Sequence, residues 1–73
     1  SERYSYQIPI EEAANCILYI IEREGRILTK SALRRLFQKE LGYEKLGSQI
    51  DRLFERAARS PRIKRTGNGR FTI

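Results

Sequence analysis

Every proline and glycine in the chain marks a border, and the borders leave room for three helices and one short hairpin. The residues are Pro9, Gly25, Gly42, Gly47, Pro61, Gly67 and Gly69. Between them lie "IEEAANCILYIIERE", "KSALRRLFQKEL" and "SQIDRLFERAAR", each with apolar residues at three- and four-residue spacing. That spacing places the apolar side chains on one face of a helix. After Pro61 the pattern changes to "RIKRTGNGRFTI", two short alternating runs around a turn. A chain of 73 residues supplies one domain. A domain this small buries only about 60% of the surface its unfolded chain exposes. Nearly all the apolar residues must therefore share one core.

The first helix is expected over about residues 10–24. Pro9 suits its start, where a missing N–H costs nothing, and Glu11 and Glu12 oppose the positive end of the helix dipole. Ile10, Ala13, Ala14, Ile17, Leu18 and Ile21 form its apolar face, and Gly25 supplies a left-handed cap. Cys16 borders that face and reads as a small filler rather than a reactive thiol, because no basic neighbour in sequence would depress its pKa. Thr29 is the expected cap of the second helix, whose apolar line is Leu33, Leu36, Phe37 and Leu41, with Gly42 ending it. Ser48 is the expected cap of the third helix, with Asp51 in an imperfect capping box. Ile50, Leu53, Phe54, Ala57 and Ala58 face the core. Residues 1–9 read as an extended arm in which Tyr4, Tyr6 and Ile8 alternate, and 10–73 as the folded domain.

Ser60 and Pro61 stop the third helix. Side-chain alternation chooses the hairpin register. A two-residue Asn68–Gly69 turn would mix apolar and polar residues on each face. A three-residue loop pairs Lys64 with Thr72, Arg65 with Phe71 and Thr66 with Arg70. It collects Ile63, Phe71 and Ile73 on one face and turns Lys64, Thr66 and Arg70 away from it. Gly69 then fills the left-handed loop position. "RIL" at residues 26–28 is too short to stand alone and is expected to pair with the hairpin.

The order helix, strand, helix, helix, strand, strand resembles a winged helix-turn-helix domain, an α+β fold with a C-terminal β-hairpin wing. In that fold the third helix is the recognition helix. The resemblance implies that it enters the major groove of a duplex while the wing reaches the neighbouring phosphates. The charge pattern agrees. The net charge is +6, and residues 26–73 hold thirteen basic side chains against four acidic ones. Residues 1–25 hold two basic and five acidic ones. A basic half suits an acidic partner, of which nucleic acid is the commonest. Gln49, Arg52, Arg56 and Arg59 make a polar stripe along the third helix. Gln49 suits adenine edges, and Arg52 and Arg56 suit guanine edges. Arg59, Arg62, Lys64, Arg65 and Arg70 are the candidate phosphate contacts, and Lys30 and Arg34 could flank the same groove. Asp51 and Glu55 count against this reading where they face phosphate, and Arg52 and Arg56 could instead pair with them.

A narrower resemblance rests on "EREGRI" and "LGYEKLGSQIDRLFERA". Over about residues 13–66 the chain is similar to a small domain of unknown function at the C-termini of large superfamily-1 helicase and helicase–nuclease proteins. Glu24, Gly25, Ile27, Gly42, Gly47 and Ile50 match its pattern. Arg26 departs from it where proline is common, and Glu44 where a basic residue is expected. The resemblance implies an accessory domain of a nucleic-acid motor and assigns no functional residue of its own.

Other classes fit less well. The chain has no histidine, one cysteine, no phosphate-binding Gly-Lys loop and no clustered metal ligands, so no catalysis, metal or cofactor is expected. Nor does any pattern point to a small-molecule substrate. The longest apolar run, "CILYII", is six residues where a membrane span needs about 20. With no signal peptide visible and no possible internal disulfide, the expected location is cytoplasmic, beside the nucleoid in a bacterium. The rival reading is a protein-interaction module, since winged helices also bind proteins or other domains of their own chain. The acidic first helix would suit a basic partner.

Overall fold

The computed structural model describes residues 8–41 and 47–72, with side chains described from Ile50 onward in the second stretch. These residues form a small α+β domain of three helices and an antiparallel two-stranded hairpin. The elements are α1 (Ile10–Glu24), α2 (Lys30–Leu41), α3 (Gly47–Ala58), β1 (Lys64–Arg65) and β2 (Phe71–Thr72). Helix α1 packs against both α2 and α3.

Local chemistry explains the borders. Pro9 stands at the N-cap of α1 in extended conformation, and its carbonyl accepts the Ala13 N–H at 3.1 Å. Gly25 closes α1 with φ +66°, donating its N–H to the Ile21 carbonyl at 3.0 Å. A left-handed residue here suits glycine because no Cβ meets the carbonyl. Thr29 caps α2 as expected: its Oγ1 accepts the Ala32 N–H at 3.2 Å. Helix α3 differs from expectation at both ends. It begins at Gly47, so Ser48 lies within its first turn rather than at the cap. Asp51, the expected partner of that cap, is turned to α2 instead. The helix ends at Ala58, not Arg59. The N–H groups of Arg59 and Ser60 reach back three residues, to the carbonyls of Arg56 and Ala57, tightening the final turn.

The core is one cluster. Ala13, Ala14, Ile17, Ile20 and Ile21 of α1 meet Leu33 and Phe37 of α2 and Ile50, Leu53, Phe54, Ala57 and Ala58 of α3. Ile8, Leu28, Ile63 and Phe71 close it. Of the expected arm, Ile8 is thus buried, and residues 1–7, with both tyrosines, lie outside the described residues. Ile20 was not on the expected apolar face of α1. It is buried because α1 has helices on two sides, which widens the apolar arc beyond a single stripe. Three rings run through the cluster. Phe37 and Phe54 lie 5.4 Å apart between centroids, and Phe54 meets Phe71 edge-on at 6.4 Å. They link α2 to α3 and α3 to the hairpin.

The hairpin has the three-residue loop. Lys64 faces Thr72 and Arg65 faces Phe71. The Thr66 N–H donates to the Arg70 carbonyl at 2.8 Å, and Gly69 takes φ +74°. Thr66 Oγ1 fastens the loop by accepting the N–H groups of Asn68 and Arg70. Segment 26–28 contributes a single antiparallel bridge. Leu28 and Phe71 exchange both backbone hydrogen bonds, at 3.0 and 2.8 Å. Ile73, expected to face Ile63, lies outside the described residues, as do residues 42–46 between α2 and α3.

Candidate nucleic-acid interface

Helix α3 carries its charges in two rows. Asp51 and Glu55, four residues apart, lie on the side toward α2. Arg34 Nη1 is 3.3 Å from Asp51 Oδ1, and Lys30 Nζ is 2.5 Å from Glu55 Oε1. Both acids of the helix are therefore matched by cations of α2, not by Arg52 and Arg56. The hydrogen bond from Lys30 is the main cause holding the Glu55 carboxyl below its usual range, with Arg59 and Arg65 adding their fields. All four paired side chains are substantially exposed, so each bridge contributes at most about 1 kcal/mol to stability. Their larger effect is on charge placement. Lys30 and Arg34, expected beside the groove, are occupied in neutralising the acids that would repel a polyanion.

The second row is Arg52, Arg56 and Arg59, all exposed. None forms an ion pair among the described residues. The side chain of Gln49, the first member of the expected stripe, lies outside the described set. On the hairpin, Lys64 and Arg70 are exposed and likewise make no ion pair among the described residues. Strand alternation turns them from the face that Phe71 buries.

Two expected phosphate contacts are engaged elsewhere. Arg62 reaches back to the start of α1, where Nη1 donates to Glu11 Oε2 at 3.3 Å and Nη2 donates to Asn15 Oδ1. Arg65 donates from Nη2 to the Ala58 carbonyl at 3.1 Å and lies over the Phe71 ring, its Cζ 5.3 Å from the centroid. Sequence spacing showed which face each residue takes, but not these partners, which lie up to 51 residues away along the chain.

Burial, with the field of Glu40, pushes the Cys16 thiol up to about 11. Among the described residues no cluster of three or more His, Cys, Asp or Glu could hold a metal ion, and no helix is long and apolar enough to cross a membrane. Away from the basic rows, Arg23 bridges α1 to Glu40 of α2 at 2.6 Å and stacks on the exposed Tyr19. Neither contact was legible in the sequence, although the spacing of Tyr19 and Arg23 by four residues allows theirs. No model of a known protein family, no curated protein sequence and no solved structure matches this chain.

Proposed function

We propose that the chain is a winged-helix nucleic-acid-binding domain whose ligand is duplex DNA and which serves as an accessory domain of a larger helicase- or nuclease-type protein. The observation that carries this reading is the division of charge on α3. Its two acids are held by Lys30 and Arg34, while Arg52, Arg56 and Arg59 stand exposed, with Lys64 and Arg70 on the hairpin that follows. A helix with an arginine row suits the major groove, where paired N–H donors match guanine O6 and N7. Hairpin cations suit the flanking phosphates. The contact set is then Arg52, Arg56, Arg59, Lys64 and Arg70, with Gln49 at the leading end of the helix. The accessory role rests on the resemblance of residues 13–66 to the helicase-associated domain.

The rival is a winged helix that binds protein. Charge reversal separates the two. Arg52→Glu/Arg56→Glu and Lys64→Glu/Arg70→Glu are each expected to abolish duplex binding in a gel-shift assay while circular dichroism stays unchanged. Duplex binding that survives both double variants would contradict the proposal and favour the protein reading.

A further inference from the structure

We infer that Arg65 is a positioning residue, which holds the hairpin to the end of α3 and so sets the spacing between the helix cations and the hairpin cations. This rests on the nucleic-acid reading above. Its position in the register is the starting point. Lys64 and Arg70 face away from Phe71, whereas Arg65, itself exposed, opposes Phe71 on the same face of the ladder. There its guanidinium makes two contacts at once. The Cζ of the group lies over the Phe71 ring, and Nη2 donates to the carbonyl of Ala58, the last residue of α3. That carbonyl has no partner further along the helix and sits at the negative end of its dipole, so a cationic donor suits it. Glu55, one turn earlier, adds attraction, since Arg65 is among the charges that lower its pKa.

Among the described residues the base of the hairpin is tied by Arg62 to α1 and by Ile63 to the core, but the ribbon beyond it has few other fasteners. β1 and β2 are two residues each, and segment 26–28 adds one bridge. A ribbon this short is marginal alone, so its angle depends on what ties it to the helices. Phe71 supplies the apolar tie through Phe54, and Arg65 clamps the outer side of that ring. Lysine cannot replace Arg65, because a single ammonium cannot lie over the ring and reach the carbonyl at once, as the extended guanidinium does.

Two arms test this. Nitroxide labels at Asn68→Cys, on the hairpin loop, and Arg35→Cys, on α2, in a Cys16→Ala background report the hairpin's position by pulsed electron paramagnetic resonance. The parent is expected to give a narrow distance distribution, and both Arg65→Gln and Arg65→Lys a broadened one. An unchanged distribution in both variants would overturn the latch. In the second arm, anisotropy with a labelled duplex measures a double-mutant cycle. Arg65→Gln and Arg65→Lys are each expected to weaken binding about tenfold, a size typical of coupled residues. In either background, Lys64→Gln/Arg70→Gln should then cost under about twofold, against about tenfold in the parent, since contacts already out of place have little left to lose. Full affinity in Arg65→Lys, or additive losses, would mean that Arg65 acts as a plain charge and would refute positioning. A wild-type domain that binds no duplex would sink the nucleic-acid reading, and with it the spacing role. The label distances would still decide whether Arg65 holds the hairpin.

Discussion

Phe54 is the ring on which the domain's three parts converge, and Phe54→Leu measures what that convergence contributes. The side chain is fully buried and contacts Phe37 of α2 and Phe71 of β2. Leucine keeps the site apolar, so the loss is mainly one of shape and ring contact. Two aromatic pairs disappear, each contributing about 0.5–1.5 kcal/mol beyond the area it buries. The expected destabilisation is thus about 2 kcal/mol, before any cavity left by the smaller side chain. A domain of this size has a total stability of about 4–10 kcal/mol, so the loss is a large fraction. It should lower Tm by roughly 8–16 °C, at about 4–8 °C per kcal/mol for domains of 60–100 residues. The assay is thermal unfolding followed by circular dichroism at 222 nm, paired with urea titration. The control is Tyr19→Leu, which alters an exposed ring over which Arg23 lies and should cost at most about 1 kcal/mol. A Phe54→Leu shift below about 3 °C, or no larger than that of Tyr19→Leu, would refute the idea that this ring joins helices and hairpin.

Three further outcomes follow from single residues. Gly69→Ala should destabilise the hairpin by about 1 kcal/mol because its φ is +74°, whereas Gly67→Ala, with open space and no positive φ, should be neutral or slightly stabilising in the same melts. The Glu55 carboxyl has a folded pKa below its unfolded value, so its contribution is present above about pH 4.5 and is lost as pH falls through the folded value. Urea titrations from pH 6 to pH 3 should therefore show up to about 1 kcal/mol of stability loss in the wild type that is absent in Glu55→Gln, and parallel curves would contradict the Lys30 pairing. With its pKa near 11, Cys16 should react with iodoacetamide at pH 8 at least about a hundredfold more slowly than in the unfolded chain, read by mass spectrometry. Equal rates would mean that the thiol is not shielded.

Local rules made the elements legible. Pro9 and Gly25 bound α1 at the residues where it begins and ends, because each acts through its own backbone. Alternation of Ile63, Arg65, Phe71 and their neighbours selected the three-residue loop, because one slip in register exchanges the faces. Thr29 announced α2 through a hydroxyl three residues from the N–H it accepts. The candidate interface was legible only by face. Arg52 and Arg56 stand where their spacing puts them, yet Lys30, Arg34, Arg62 and Arg65 are engaged across elements. Periodicity tells which side of a helix or strand a residue occupies. It carries no information about which element packs beside that side, and those long-range pairings separate, among the described residues, the tied cations from the others. Ile20 was missed for the same reason, since its burial depends on a second helix lying alongside α1.

The most direct test of the central claim is the salt dependence of binding to random-sequence duplex DNA, measured by fluorescence anisotropy between 50 and 200 mM salt with a single-stranded probe in parallel. Three to five of the exposed cations Arg52, Arg56, Arg59, Lys64 and Arg70 engaging phosphate predict a slope of log K against log salt of about −3 to −5, at roughly 0.9 per phosphate. A slope near −8 would mean that Lys30, Arg34, Arg62 and Arg65 also leave their partners for the duplex, contrary to the division of charge described above. No duplex binding at 50 mM salt, or binding confined to the single strand, would contradict the proposed function itself.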